Sequence, residues 1–309
     1  MNLKKLSVLL FVFLSVSFIG FAQEENSQKV IANNKVKEAF IKYSNNSSSS
    51  SCRSIVKKYD KKGNEIEFNM QRLGSIYKTV YNDQNDKILH LRIEKNDTTK
   101  VDSLFYAYDK FHQLILVNGE KFENTYNDNN QLIRQANVVI GDNGFIYKKT
   151  IEKSWTPFNQ IKTDLETLEK IKEVDGRTAY SNLKLTCKEY QYDSEENLIS
   201  EVHYVDDIAM KSILFEYDSL NRLVEKKVKE TVRTFDNTEY IEEFTTKLSY
   251  NRNGKISKKY NYFSDPCMSV EGHFLFKHQY HSNGLLRKVQ AFEGNNLVFV
   301  ITYKYEYYE

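Results

Sequence analysis

The feature that most constrains this chain is a repeated short pattern. An aromatic residue is followed by Asp or Asn, a turn-tolerant residue stands four positions after the aromatic, and Leu or Ile stands six positions after it. The clearest copies are Tyr126-Asn127 with Asn130 and Leu132, Tyr217-Asp218 with Asn221 and Leu223, Tyr250-Asn251 with Gly254 and Ile256, and Tyr280-His281 with Gly284 and Leu286. Asn and Gly tolerate the positive φ that a tight connection needs, so each copy predicts strand, turn, strand. The aromatic closing one strand and the Leu or Ile opening the next are expected to face each other across the turn and clasp the hairpin.

Weaker copies extend the series. Tyr108 pairs with Leu114 and Tyr192 with Leu198, while Tyr59 with Ile66 and Tyr81 with Ile88 have one extra residue in the turn. Ile140 to Ile146 and Trp155 to Ile161 keep the spacing with a changed first residue. That gives about ten irregularly spaced units, the mark of stacked hairpins. Strand chemistry agrees: there are 22 Tyr and 19 Phe, suited to pleated half-buried surfaces, and only 2 Pro to interrupt a ladder. The expected fold is all-β, with repeated antiparallel β-hairpins forming a wound or curled continuous sheet over residues 53–309.

Tyr217-Asp218 with Asn221-Arg222-Leu223, followed by Val224-Glu225-Lys226-Lys227, resembles the YD repeat of Rhs-type bacterial cell-surface proteins. Through the repeat spacing, the resemblance covers roughly residues 55–309. It implies a secreted, noncatalytic, wound antiparallel sheet. Long members of that family enclose a C-terminal toxin, whereas this array is short and runs into a terminal strand over 297–308, so the toxin role is not implied here.

Two segments break the strand pattern. Leu165, Leu168, Ile171 and Val174 recur at three-residue spacing, which predicts an inserted helix over residues 163–174, with a hairpin closed by Asp175-Gly176 as the competing reading. Residues 23–52 are polar and end in five serines, Ser47 to Ser51. They read as a linker with one short helix over 30–43, where Val30, Val36, Ala39, Phe40 and Tyr43 share a face.

Lys4 and Lys5 precede an apolar run from Leu6 to Phe21, and Gly20 and Ala22 supply small residues before Gln23. Residues 1–22 are therefore expected to be a cleaved signal peptide, too short and wrongly flanked for a spanning helix. Cleavage at that point removes the two lysines that make the formal charge +2. A neutral chain of interleaved Lys and Glu argues against nucleic acid as a partner. Export places the protein in the periplasm, at the cell surface or outside the cell, where one disulfide among Cys52, Cys187 and Cys267 is feasible with an odd thiol left over, but three semi-buried small residues in strands are the preferred reading.

The sequence offers no catalytic residue, cofactor or metal site. It has no Gly-x-Ser-x-Gly elbow, phosphate-binding glycine loop or His-Glu-x-x-His helix. Cys267, His273, His278 and His281 are close in sequence, but His278 and His281 point to opposite faces of a strand. Asp60, Asp109, Asp193 and Asp218 sit in turns and are read as turn formers. The expected function is a secreted or periplasmic noncatalytic binding or scaffold protein, recognising a glycan or an envelope or protein partner. An outer-membrane β-barrel is the alternative: neither face of the strand from Leu223 to Glu230 suits lipid, one face of the final strand, Leu297, Phe299, Ile301, Tyr303, Tyr305 and Tyr307, does, and membrane spanning is not expected once the signal is removed. A glycan-active enzyme with an unrecognised carboxylate pair is the third reading.

Overall fold

The computed structural model describes residues 28–45, 53–70, 74–140, 146–174, 177–233, 238–265 and 270–309. The apolar leader, Cys52, Cys267 and the turn after Ile140 lie outside them. One short helix, α1 (Gln28–Asn33), and twenty strands make up the described secondary structure. They fall into two compact units, Met1–Leu104 with Leu248–Glu309, and Phe105–Lys247.

The first unit holds β1 (Val36–Asn45), β2 (Arg53–Tyr59), β3 (Glu65–Met70), β4 (Ser75–Tyr81) and β5 (Lys87–Glu94). The unit boundaries fall inside β6 (Asp97–Tyr108) and β16 (Glu239–Tyr250). Between these lie β7 (Leu114–Val117), β8 (Glu120–Tyr126), β9 (Leu132–Ile140), β10 (Ile146–Trp155), β11 (Ile161–Val174), β12 (Arg177–Tyr192), β13 (Leu198–Val205), β14 (Ile208–Tyr217) and β15 (Leu223–Arg233). The first unit resumes with β17 (Ile256–Asp265), β18 (Val270–Tyr280), β19 (Leu286–Glu293) and β20 (Asn296–Tyr307).

Every described ladder is antiparallel, and sequence neighbours pair with one another. The all-β hairpin reading therefore holds, but the open wound sheet does not. In the first unit β1 lies between β20 and β2, pairing Ile41 with both Tyr303 and Ile55, so strands from the two ends of the chain are joined.

Among the described residues the motif builds one turn nine times. At the Asp218 copy, the Asp218 N–H donates to the Arg222 carbonyl at 2.9 Å, and the Asn221 N–H donates back to the Asp218 carbonyl at 2.9 Å. The Asp218 Oδ1 then accepts the N–H groups of Leu220 and Arg222 at 2.9 and 3.0 Å. Asn221 has φ 57°, and Asn85, Asn130, Asn159 and Gly254 repeat the left-handed conformation at the equivalent position. This is the bulged hairpin connection that a left-handed residue permits. A register shift beside the aromatic sets Tyr217 opposite Leu223, Tyr192 opposite Leu198 and Tyr280 opposite Leu286, as the clasp reading expects.

The polar end of the aromatic does something the sequence did not suggest. It reaches back to the previous turn. The Tyr192 hydroxyl donates to the Ile161 carbonyl, Tyr217 to Leu198, Tyr280 to Ile256 and Tyr305 to Leu286, and Trp155 Nε1 donates to Leu132, all within 2.7–3.0 Å. Trp155, Tyr192, Tyr217 and Tyr280 thus each stand opposite the residue that opens the next strand and tie their hairpin to the preceding one, while Tyr305, opposite Ala39 of β1, makes the tie alone.

Three expectations change. Residues 163–174 lie in β11, paired with β12, rather than in a helix. Leu165 and Leu168 fall on opposite faces of a half-buried strand, which mimics a three-residue period. The segment read as a linker supplies α1 and β1: the helix ends at Asn33, and Ala39 and Ile41 alternate into the core. The turns after Tyr59 and Tyr81 contain no extra residue, because Tyr59 pairs with Glu65 and Tyr81 with Lys87 in the ordinary register.

Candidate functional site

The core face of the first unit is packed with Phe274, Phe276, Leu286, Ala291, Phe299 and Ile301, all buried. Phe263, Phe274, Phe276 and Phe299 meet edge to face or tilted, at centroid separations of 5.5 to 6.3 Å. Toward the turn end this packing gives way to a second cluster, Ile31, Val36 and Leu285, which α1 completes.

The helix is fixed at both ends. Gln28 Nε2 donates to the Asn64 side-chain oxygen at 2.6 Å and to the Lys62 carbonyl at 3.3 Å. Asn34 donates to the Val30 carbonyl at 2.9 Å and to Asn283 at 3.3 Å, and Lys35 turns the chain with φ 50°. Gly63 is required twice over. Its φ is 82°, and a Cβ there would stand 2.3 Å from the Gln28 carbonyl oxygen.

Between α1, β1, β2 and the turn at Asp60 lies a partly open cavity of about 260 Å³. Ile31, Ala39 and Ile41 give it an apolar wall, and Lys57, Tyr59 and Glu65 a polar one. Lys57 is only 4% exposed, because its position in β2 alternates with Ile55 onto the core face. Its ammonium meets Glu65 Oε2 at 2.7 Å and lies 5.6 Å from the Phe68 ring centroid. Burial pushes the Tyr59 phenol far up, with Glu65 and Tyr305 adding to the shift, so it stays protonated and can donate a hydrogen bond. The rim is set by Asn64, which donates to Asp60 Oδ2 at 2.8 Å and to Asn85 Oδ1 at 3.2 Å.

The arrangement can hold a small polar molecule through donors and an acceptor set against aliphatic carbon. No group of three or more His, Cys, Asp or Glu side chains suited to a metal occurs among the described residues. Sequence reasoning missed this site, although a signal was present. Glu65 stands six positions after Tyr59, where other copies carry Leu or Ile.

The residues weighed from sequence do not converge. His273 is exposed and stacks on Tyr260 at 5.7 Å, His278 is buried on the core face, and His281 is a turn residue whose ring meets Tyr305. Asp60, Asp109, Asp193 and Asp218 all accept N–H groups of their own turns. Asp109 also accepts the Tyr126 hydroxyl, which burial and that carboxylate push up to about 12. Cys187 is a free thiol in β12, and burial followed by Glu189, Asp164 and Asp207 pushes it up.

No protein-family model matches the chain, and no curated protein matches it. Among solved structures it is similar to TcdB2-TccC3-TEV, with 11% identity and a TM-score of 0.32 over 80% of this chain and 15% of that one. A porin-like protein from Bacteroides uniformis aligns with 10% identity and a TM-score of 0.32 over 88% of this chain and 98% of that one. A second porin-like protein, from Bacteroides vulgatus, gives 8% identity and 0.23 over 76% and 98%. Likenesses this distant transfer neither fold nor function.

Proposed function

We propose that this chain is an exported, noncatalytic protein of the cell envelope, whose hairpin sheet is a water-exposed scaffold for binding. The observation that carries this reading is the chemistry of the face opposite the core in the first unit. There Glu67 lies between Lys58, at 2.9 Å, and Lys78, at 3.8 Å, on three adjacent strands, with both lysine side chains more than 40% exposed. Lys42, Lys277 and Lys304 lie on the same outer face and are exposed. A surface of this kind is stable against water and costly against hydrocarbon. The leader Leu6 to Phe21 supports export.

An outer-membrane β-barrel is the second reading, and strand wiring favours it. Sequence-neighbour antiparallel pairing with the first strand joined to the last is how up-and-down barrels are connected. On wiring the barrel is the better supported reading. On face chemistry the scaffold is, and side chains decide what a sheet can be exposed to. No described helix is long and apolar enough to cross a membrane, which leaves strands untouched by that criterion.

Expressing residues 23–309 without detergent tests the choice. A monodisperse soluble protein is expected. Extraction only with detergent, with migration on gels that changes on heating, would establish the barrel instead. The fragment has to begin before Gln28, since α1 and β1 are part of the first unit.

A further inference from the structure

The hydrogen-bonding groups left over in the cavity beneath α1 define what would fill it. A lysine ammonium carries three donors. Among the described residues Glu65 takes one of those of Lys57, and the Phe68 ring lies alongside without accepting a conventional bond. Glu65 uses Oε2 for that contact, leaving Oε1, and the Tyr59 hydroxyl has no described partner. Three kinds of group therefore face one space: ammonium N–H, phenol O–H and a carboxylate oxygen. Lys57 is buried, whereas the Glu65 side chain keeps about a quarter of its surface exposed, so the pair can be reached through the open side of the cavity.

The charges narrow the choice. Lys57 and Glu65 already neutralise each other, so a lone anion would be repelled by Glu65 and a lone cation by Lys57. A hydroxyl suits both, since it accepts from the ammonium and donates to the carboxylate with the same oxygen. Two hydroxyls on adjacent carbons can bridge Lys57 and Glu65 side by side, with Tyr59 donating to either. The opposite wall of Ile31, Ala39 and Ile41 offers aliphatic carbon to the C–H face of a saturated ring. At about 260 Å³ the cavity far exceeds the ~30 Å³ share of one water.

We infer that this cavity binds one neutral pyranose-sized sugar unit, held through vicinal hydroxyls by Lys57, Glu65 and Tyr59. The inference rests on the binding-scaffold reading and gives it a location and a ligand class. The position of Glu65 in the repeat fits this role, because an aliphatic residue there would remove the acceptor and leave Lys57 without its counter-charge.

Titration calorimetry on residues 23–309 tests it, with glucose and N-acetylglucosamine as probes and glycine and inorganic phosphate as comparators. Saturable binding of at least one sugar is expected, weakened tenfold or more by Tyr59→Phe and by Glu65→Gln. Tyr59→Phe, which leaves the packing intact, is expected to keep the melting temperature within a few degrees. Tighter binding of glycine or phosphate would overturn the ligand class while leaving a binding protein. Sugar binding unchanged in both variants would overturn the location, and no binding of any probe would overturn the inference. A chain soluble only in detergent, assayed there in the same way, would sink the scaffold reading separately from the site.

Discussion

The two units are built from the same turn and filled differently. The first buries a continuous aromatic and aliphatic cluster around Phe274, Phe276 and Phe299. In the second, Ala136 and Ile213 are the buried apolar residues among those described, beside Asn137, Thr150 and Ser200. Polar contacts do more there: Lys153 meets Asp164 at 3.4 Å, Lys211 meets Glu230 at 2.7 Å, and Gln135 donates to Asn124 at 2.9 Å. The repeat therefore specifies turn and register. The core face between repeats specifies how the unit is held together.

The largest expected effect separates the two. Phe299→Ala should cost ~3–5 kcal/mol through loss of transfer energy and an unfilled cavity. Ile213→Ala, in the sparsely packed second unit, should fall near ~2 kcal/mol, the lower end for aliphatic truncation. Denaturant melts followed by circular dichroism measure both, and Trp155, the single tryptophan, reports on the second unit. Equal costs would break the contrast.

Next comes a comparison between capped and uncapped turns. Gly63→Ala should cost ~2 kcal/mol or more, since a left-handed Ala is strained by ~1–2 kcal/mol and this one also meets the Gln28 carbonyl. Gly254→Ala has φ 72° and nothing within 4 Å, so it should show the strain alone. Amide exchange across α1 should accelerate in the Gly63 variant and not in the other.

A smaller effect should be shared. Tyr280→Phe and Tyr217→Phe each remove one hydroxyl bond to the preceding turn, and each should cost ~0.5–1.5 kcal/mol, read as a lower melting temperature. A clear inequality would mean that the repeat contributes differently in the two units.

The smallest effect concerns acid. A hydrogen bond from Asn197 holds Asp193 below the ordinary carboxylate range, and one from Arg222 does the same for Asp218, with turn N–H groups adding to both. Carboxyls depressed in this way contribute fully above their ordinary range. The contribution is lost as pH falls below about 4 through the lowered values. Among the described turns the second unit has three built on Asp, at Asp109, Asp193 and Asp218, against one in the first, at Asp60. Acidification should therefore weaken the Trp155-reported transition first. Asp193→Asn together with Asp218→Asn should flatten that pH dependence.

What could be read in advance follows from how local each signal is. The turns were legible because Asp or Asn hydrogen-bonds within five residues of itself, and so was the pairing of Tyr217 with Leu223. The strand β1 was not. Val36, Ala39, Phe40 and Tyr43 fit a helical face, while Ala39, Ile41 and Tyr43 fit a strand, and a register irregularity between Val36 and Glu38 blurs the two periods. Only pairing with β2 and with the sequence-distant β20 decides between them. The cavity was hidden for a related reason: Lys57 and Glu65 become an internal pair only once β2 and β3 align and α1 covers them.

The seating of β1 between β20 and β2 also sets an order of events. β1 comes early in the sequence and its partner β20 far later, so one of the longest loop closures in the molecule has to precede completion of the best-packed core. Such non-local pairing slows folding. Until it occurs, β2 and β20 present open edges to other chains. The second unit, contiguous in sequence, carries no such delay and is free to form while the first still waits for its final strand.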